Sequence, residues 1–331
     1  MNRLVHAAAP TGTDLVAPGL THPARPKKDG PAGRPPVPVI ADDAFKDGSA
    51  GTILRPGLWG LNDHTFFRDT AGRIHIVGIR DPFNNPKLFH AVADDWTGPF
   101  EDLPPIPRAP GEVGMWAPGA IVRDGRIYIF YTDPRGFFPW RWTDQWSINL
   151  VTAPADDPLR WTHCGPLFEG RGHIRDPMVF YDEGTGLYLV YYHRTAEGGT
   201  DSSVSFRTSE DLETWSTTAW EAVSGLASDL PGGCAESPHV FHRHGWHYLL
   251  VTHTSRRHYT RTRVWASPNP FWFGGPEEYI TELWAHAPEV ITADGGRWLI
   301  THAGHRLHAL LNAVDRRFRT PGIQLAELLW E

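Results

Sequence analysis

From residue 62 onward, polar and apolar positions follow one recurring pattern. A short polar entry leads into an apolar run, then a turn rich in Asp and Gly, then a strand rich in aromatic residues. Five segments carry it: NDHTFFRDTAGRIHIVGI from Asn62, WAPGAIVRDGRIYIFYT from Trp116, RDPMVFYDEGTGLYLVYYH from Arg175, ESPHVFHRHGWHYLLVTH from Glu236 and HAPEVITADGGRWLITHA from His286. Each reads as two strands joined by a tight turn, such as Asp124-Gly125 or Gly295-Gly296. The segments start 54, 59, 61 and 50 residues apart.

A second shared element follows the first four hairpins: AVADDWTGPF at 91–100, TAPADDPLRWTHCGPLF at 152–168, RTSEDLETWS at 207–216 and ASPNPFWFG at 266–274. Trp96, Trp161 and Trp215 recur at one place in it, with Phe271 or Trp272 as the fourth. The fifth unit ends at LAELLW, 325–330, and would borrow a strand from the N-terminal side to close a ring. A lone hairpin cannot bury a face, whereas four-stranded sheets packed radially can. The sequence therefore predicts an all-β protein, a five-bladed β-propeller of four-stranded antiparallel blades spanning residues 51–331. A β-sandwich is the alternative, but it leaves a fivefold motif unexplained.

Before the repeats lies a different texture. Eight prolines fall between Met1 and Ile40 among Ala, Gly, Thr and Lys, which disfavours strand pairing and helical periodicity. Residues 1–50 are expected to form a Pro-rich arm, extended or partly disordered. The N-terminus has no continuous apolar stretch of the kind a secretory signal carries, so a cytoplasmic protein is expected. No stretch approaches the ~20 apolar residues of a membrane helix. A net charge of −7 without a basic run argues against nucleic acid as the main partner. Two cysteines, Cys164 and Cys234, make no disulfide scaffold.

The composition is unusual in one respect: 15 Trp and 18 His, more than packing requires. Trp96, Trp161, Trp215, Trp246 and Trp298 fall at scaffold positions. Trp116 opens a first strand, and Trp140, Trp142 and Trp146 fall in the insertion 133–150, so those four are candidate sugar platforms.

In a propeller the innermost strand of each blade lines the central channel, so the five segment starts converge at one mouth. Aligned on the proline, those starts are Asn62-Asp63-His64, Trp116-Ala117-Pro118, Arg175-Asp176-Pro177, Glu236-Ser237-Pro238 and His286-Ala287-Pro288. Three blades place a carboxylate there: Asp63, Asp176 and Glu236. Glycoside hydrolysis needs such a set, one carboxylate as base or nucleophile, one carboxylic acid to protonate the leaving oxygen, and apolar rings to hold the sugar. Each residue also has a plainer reading: Asp63 could cap a turn, and Asp176 could pair structurally with Arg175. Glu236 is hardest to explain that way, because a carboxylate opening an apolar inner strand is costly unless used.

Asn62-Asp63, Trp116-Ala117-Pro118, Arg175-Asp176-Pro177 and Ala235-Glu236-Ser237-Pro238-His239 together resemble the blade motifs of the five-bladed propeller glycosidases. These are glycoside hydrolase families 43 and 62, acting on arabinofuranosides and xylosides, and families 32 and 68, acting on fructosides; family 43 is the nearer. The resemblance implies Asp63 as base or nucleophile, Asp176 as transition-state stabiliser that raises the pKa of Glu236, and Glu236 as general acid, with inversion of configuration. Asn62, Trp116, Arg175, His239, His286, Glu289 and Trp140 are the candidate substrate contacts, and a small carbohydrate or glycosylated metabolite is the expected partner. Three departures stand out: His64-Thr65-Phe66 follows Asn62-Asp63 where fructosidases have Pro-Asn-Gly, Ser237 replaces the Gly of many family 43 members, and the C-terminal β-sandwich usual in family 32 is not expected.

Some relatives hold calcium in the channel through a His, which makes His302 and His305 candidates beside His193 and His253. Their spacing is not a zinc signature, and calcium prefers oxygen ligands, so no cofactor is expected to be required and a structural calcium in the channel is the one possibility left open. Two other functions fit the same residues: acid/base elimination, isomerisation or cyclisation of a small metabolite, and sugar binding without catalysis. Arg256, Arg257, Arg261 and Arg263 form a basic edge that reads most simply as a solvated strand face.

Overall fold

The computed structural model describes residues 31, 33–55, 61–80, 87–134, 145–195, 202–226, 235–253, 261–304 and 322–331. They form the five predicted blades. Blade one comprises β3 (Leu61–Arg68), β4 (Ile74–Arg80), β5 (Lys87–Ala93) and β6 (Glu101–Pro107). Blade two comprises β7 (Trp116–Arg123), β8 (Arg126–Asp133), β9 (Gln145–Pro154) and β10 (Thr162–Arg171). Blade three comprises β11 (His173–Asp182), β12 (Leu187–Thr195), β13 (Ser202–Ser209) and β14 (Trp220–Leu226). Blade four comprises β15 (Ala235–Arg243), β16 (Trp246–His253), β17 (Arg261–Ser267) and β18 (Thr281–Leu283). Neighbouring strands pair antiparallel in sequence order, as hairpins require.

Blade five differs. Its inner strand β19 (Val290–Thr292) pairs with β20 (Trp298–Gly304), which pairs with the C-terminal β21 (Gly322–Trp330). That strand is flanked in turn by β1 (Pro38–Ile40) and β2 (Gly51–Leu54) from the N-terminal side. The ring thus closes by pairing the two ends of the described chain, as the repeat count suggested. Strand β1 corrects the expectation that nothing before Ile40 pairs as a strand. As an outermost strand it leaves one edge unpaired, the position where proline is tolerated. Pairing continues beyond it, with Val37 and Glu331 exchanging both backbone hydrogen bonds at 2.9 and 3.0 Å.

Each blade-to-blade junction has its own apolar cluster. Leu61, Ile76 and Trp96 meet Ile291 and Ile323 between blades one and five. Val77 and Ile106 meet Ile129 and Tyr131 between blades one and two. Corresponding clusters fill the other three junctions. Trp161 and Trp215 pack at cluster edges, and Trp246 and Trp298 against the blade four–five cluster, the scaffold role their repeat positions implied. Trp146 lies in β9 rather than in a loop, buried between Trp116 (5.8 Å, edge-on) and His173 (4.7 Å, stacked). It supports Trp116 from behind instead of lining the mouth. Among the described residues no helix is long and apolar enough to cross a membrane.

Candidate active site

The inner strands share a feature that places every candidate side chain. In β7 the ladder steps from Trp116–Thr132 to Gly119–Phe130, so two residues oppose one. The same bulge separates Arg175 from Met178, Glu236 from His239 and Leu61 from His64. Its first residue takes a left-handed backbone at Ala117 (φ 45°), Asp176 (59°) and Ser237 (48°), and Ala287 (43°) does the same in blade five. Left-handed conformations are unfavourable for residues other than Gly by about 1 kcal/mol or more, and here they turn the backbone toward the axis. The bulge N–H is caught by the neighbouring blade. Asp176 N donates to Thr132 Oγ1 and Ala287 N to Thr252 Oγ1, both at 3.0 Å. At the blade three–four junction His193 stands where the threonines stand, and Ser237 N donates instead to Asp176 Oδ2 at 3.1 Å.

The register corrects the alignment of blade one. Leu61, not Asn62, matches Trp116, Arg175 and Glu236, so Asp63 takes the place of the prolines, one residue beyond Asp176. The three carboxylates therefore come from three successive positions of the repeat. Backbone spacing at Asp63 is tight: a Cβ on Gly78, which pairs with His64 in β4, would come within 2.7 Å of the Asp63 carbonyl oxygen.

Asp63 and Asp176 line one small cleft with His64, Pro118, Pro177, Ser237, Pro238, Pro288 and Glu289. Ser237 reaches both carboxyls, its backbone to Asp176 and its hydroxyl across the axis to Asp63 Oδ1. Burial pushes the Asp63 carboxyl up to about 6, opposed by the Ser237 hydroxyl and reinforced by the charge of Glu236. Burial pushes Asp176 up to about 7, opposed by Arg175 and reinforced by Asp63 and Glu236. Glu236 is held by Arg175, whose Nη1 donates to Oε1 at 3.0 Å, while His286 Nε2 lies 4.0 Å from Oε2. Arg175 is oriented from behind, its Nε donating to His193 Nδ1 at 3.1 Å and its Nη2 to Ala235 O at 3.4 Å. That bond requires the proton of His193 on Nε2, which faces Thr195 Oγ1 at 3.2 Å. Burial holds the imidazole well below its ordinary range and thus neutral.

The remaining candidates divide. Asn62 and Trp116 sit at the starts of β3 and β7, partly exposed, and Glu289 lines the cleft. His286 is buried beside Glu236. His239 does not face the cleft. It is buried further along β15, lines a second cavity that shares Met178 and Glu289 with the cleft, lies 3.5 Å from Glu289, and accepts the Val290 N–H on Nε2 at 3.0 Å. Trp140, Trp142 and His305 lie outside the described residues, as do Arg256, Arg257 and Cys234.

Two of the candidate channel histidines are tied down by hydrogen bonds. His64 donates from Nδ1 to Asn62 O (3.2 Å) and accepts on Nε2 from Thr301 Oγ1 (2.8 Å), so both ring nitrogens are engaged. His302 Nδ1 accepts the His286 N–H at 2.9 Å. Burial lowers both imidazoles to about 4. Among the described residues no three His, Cys, Asp or Glu side chains group closely enough to hold a metal, and calcium asks for six to eight oxygens.

Ser237 and Thr132 are the site residues that sequence reasoning gave no role, and His193, expected near the channel, orients Arg175 instead. Ser237 was visible only as a departure from glycine; Thr132 carried no local signal.

The sequence profile of glycosyl hydrolases family 43 matches residues 97–327. The chain is similar to an Escherichia coli (strain K12) protein named "Putative beta-xylosidase", 27% identical over 229 residues, which are 65% of this chain and 39% of the relative. It thus spans about two fifths of the length of the curated relative it matches. Among solved structures, the alpha-L-arabinofuranosidase from Lactobacillus brevis superposes with a TM-score of 0.65 at 14% identity, covering 86% of this chain and 95% of that one. The xylan beta-1,4-xylosidase from Bacillus Halodurans C-125 superposes with a TM-score of 0.58 at 17% identity, covering 85% and 54%. At such identities these structures establish the shared fold.

Proposed function

The chain belongs to glycosyl hydrolases family 43, a family of glycosidases, and from that premise we propose that it hydrolyses an arabinofuranoside or xyloside of small size, with inversion of configuration. The observation that carries this reading is that Asp63 and Asp176, from two blades, line one cleft while Glu236 of a third blade, paired with Arg175, acts electrostatically on both. The similarity to proteins named for xylosidase and arabinofuranosidase supports the sugar class.

In this mechanism Asp63 is the base. One oxygen of its carboxylate is taken by Ser237, and the other orients a water molecule. As the water oxygen attacks C1, its proton passes to Asp63, and the bond from C1 to the leaving oxygen breaks as Glu236 delivers a proton to that oxygen. Asp176 does not transfer a proton to substrate. It anchors the bulge that carries Ser237 and lies beside Arg175, the partner of Glu236. Arg175 occupies Glu236 in the free protein. Sugar hydroxyls that compete for the guanidinium release Glu236, which takes up a proton from solvent and turns toward the glycosidic oxygen, so binding and acid catalysis are linked.

The test is release of aglycone from aryl α-L-arabinofuranosides, β-D-xylosides and β-D-fructosides. Turnover of one of the first two is expected, with general-acid and general-base variants Glu236→Ala and Asp63→Ala each losing about 10²–10⁴ in rate or more. Activity that survives both substitutions, or inertness toward every glycoside, overturns the assignment.

A further inference from the structure

Ser237 has a left-handed backbone, with φ at 48°, a conformation that suits glycine. The strain alone explains nothing, because Ala117 and Ala287 share that conformation at the same place in blades two and five. What sets Ser237 apart is its hydroxyl. It belongs to blade four, yet it donates to Asp63 Oδ1 in blade one, bridging blades that are not neighbours in the ring. Among the described residues it is the one side-chain hydrogen-bond donor to the Asp63 carboxyl. The other charged groups acting on Asp63 are Glu236 and Asp176, both repulsive to its ionised form, and Arg175, which is committed to Glu236 and His193.

We infer that Ser237 is a positioning residue, whose hydroxyl holds Asp63 ionised and fixes which carboxylate oxygen is left to face the attacking water. The inference rests on Asp63 being the base of the proposed reaction, but the hydrogen bond is a property of the protein at rest. A hydroxyl donates a stronger hydrogen bond to a charged carboxylate than to a neutral carboxylic acid, so it stabilises the ionised form. A rotating carboxylate would present either oxygen to water, and a pinned one presents a single oxygen. The adjoining Ser237 N–H bond to Asp176 means that one residue sets the geometry of two carboxyls from both its backbone and its side chain.

The test uses Ser237→Ala and Ser237→Gly in the full chain. Both are expected to fold, alanine because the same bulge carries it in blades two and five, glycine because it favours a positive φ. The first readout needs no turnover: NMR titration of ¹³C-labelled aspartate carboxyls, with Asp63 assigned by its loss in Asp63→Asn. In both variants the Asp63 midpoint is expected to rise by about one pH unit, the size of a hydrogen bond to a charged acceptor. The second readout is the pH profile of kcat/KM on whichever aryl glycoside is turned over. Its acidic limb is expected to move up by about the same amount, with kcat falling about tenfold and KM little changed. An unmoved Asp63 midpoint in variants with intact melting temperatures overturns the role of Ser237, even if glycosides are hydrolysed. A shifted midpoint in a protein inert to every glycoside upholds the Ser237 contact and overturns only the hydrolase reading.

Discussion

Arg175 and Glu236 are joined across the boundary of blades three and four by a 3.0 Å ion pair, and the same guanidinium is steered from behind by neutral His193. The two side chains are largely shielded from water, so removing one leaves the other charged and poorly solvated. Arg175→Met is expected to lower kcat/KM by about 10²–10³-fold, in the range for losing a charge-assisted contact together with the order it imposes. Arg175→Lys should recover little of this, because a lysine cannot address Glu236 and His193 at once. Asp176, which Arg175 holds down, should titrate still higher in Arg175→Met. Steady-state kinetics and carboxyl NMR check the two expectations.

Asp176 makes the clearest stability prediction. Its folded-state midpoint, about 7, lies above the ordinary 3.8, so the folded protein holds a proton that the unfolded chain gives up first. That contribution is fully present below about pH 4 and is lost as pH rises through 7. At pH 8 the protein carries a buried, crowded carboxylate, and Asp176→Asn should relieve it by on the order of a few kcal/mol. The melting temperature of Asp176→Asn should exceed the parent's at pH 8, converge with it near pH 4, and accompany a large loss of activity.

The buried histidines work in the opposite direction. His64 and His302 are lowered from 6.5 to about 4 by burial. Between those values the unfolded chain takes up protons that the folded one refuses, so their contribution is lost as pH falls from about 6.5 toward 4. His302→Gln keeps a side-chain acceptor for the His286 N–H but cannot titrate. Its melting temperature should fall less steeply than the parent's over that interval, as thermal denaturation across a buffer series would show.

Ring closure depends on the short N-terminal strand. Pro38–Ile40 pairs with Leu328–Trp330, Val37 pairs with Glu331, and Tyr248 donates to the Pro36 carbonyl at 3.0 Å. Deleting residues 1–40 exposes the edge of β21 and removes several hydrogen bonds, each worth about 1 kcal/mol. The truncated chain should melt several degrees lower and aggregate more readily through the uncovered edge. Thermal melting and light scattering against the full chain check this.

Much of the architecture was legible locally. Strand alternation, Asp-Gly turns and tryptophans at one repeated place are short-range features, and five copies of them fit one ring. The acidic residues were legible too, since a carboxylate at the head of an apolar strand stands out. Strand β1 was not, because proline is a poor strand former in general and a tolerated one at an edge, and only the assembled sheet says which applies. Blade one was misaligned by a residue for a related reason. It has no proline to anchor the comparison, and the bulge that decides its register is set by pairing with β4. The chain's own order of residues thus determined the fold class, the number of blades and which acids stand at their entrances. The tertiary structure alone decided that Arg175 turns to Glu236, that His239 faces away from the cleft, and that Ser237 reaches Asp63 from 174 positions along the chain. Hydrogen bonds and ion pairs act over about 3 Å, and which side chains come that close follows from how the blades meet around the axis.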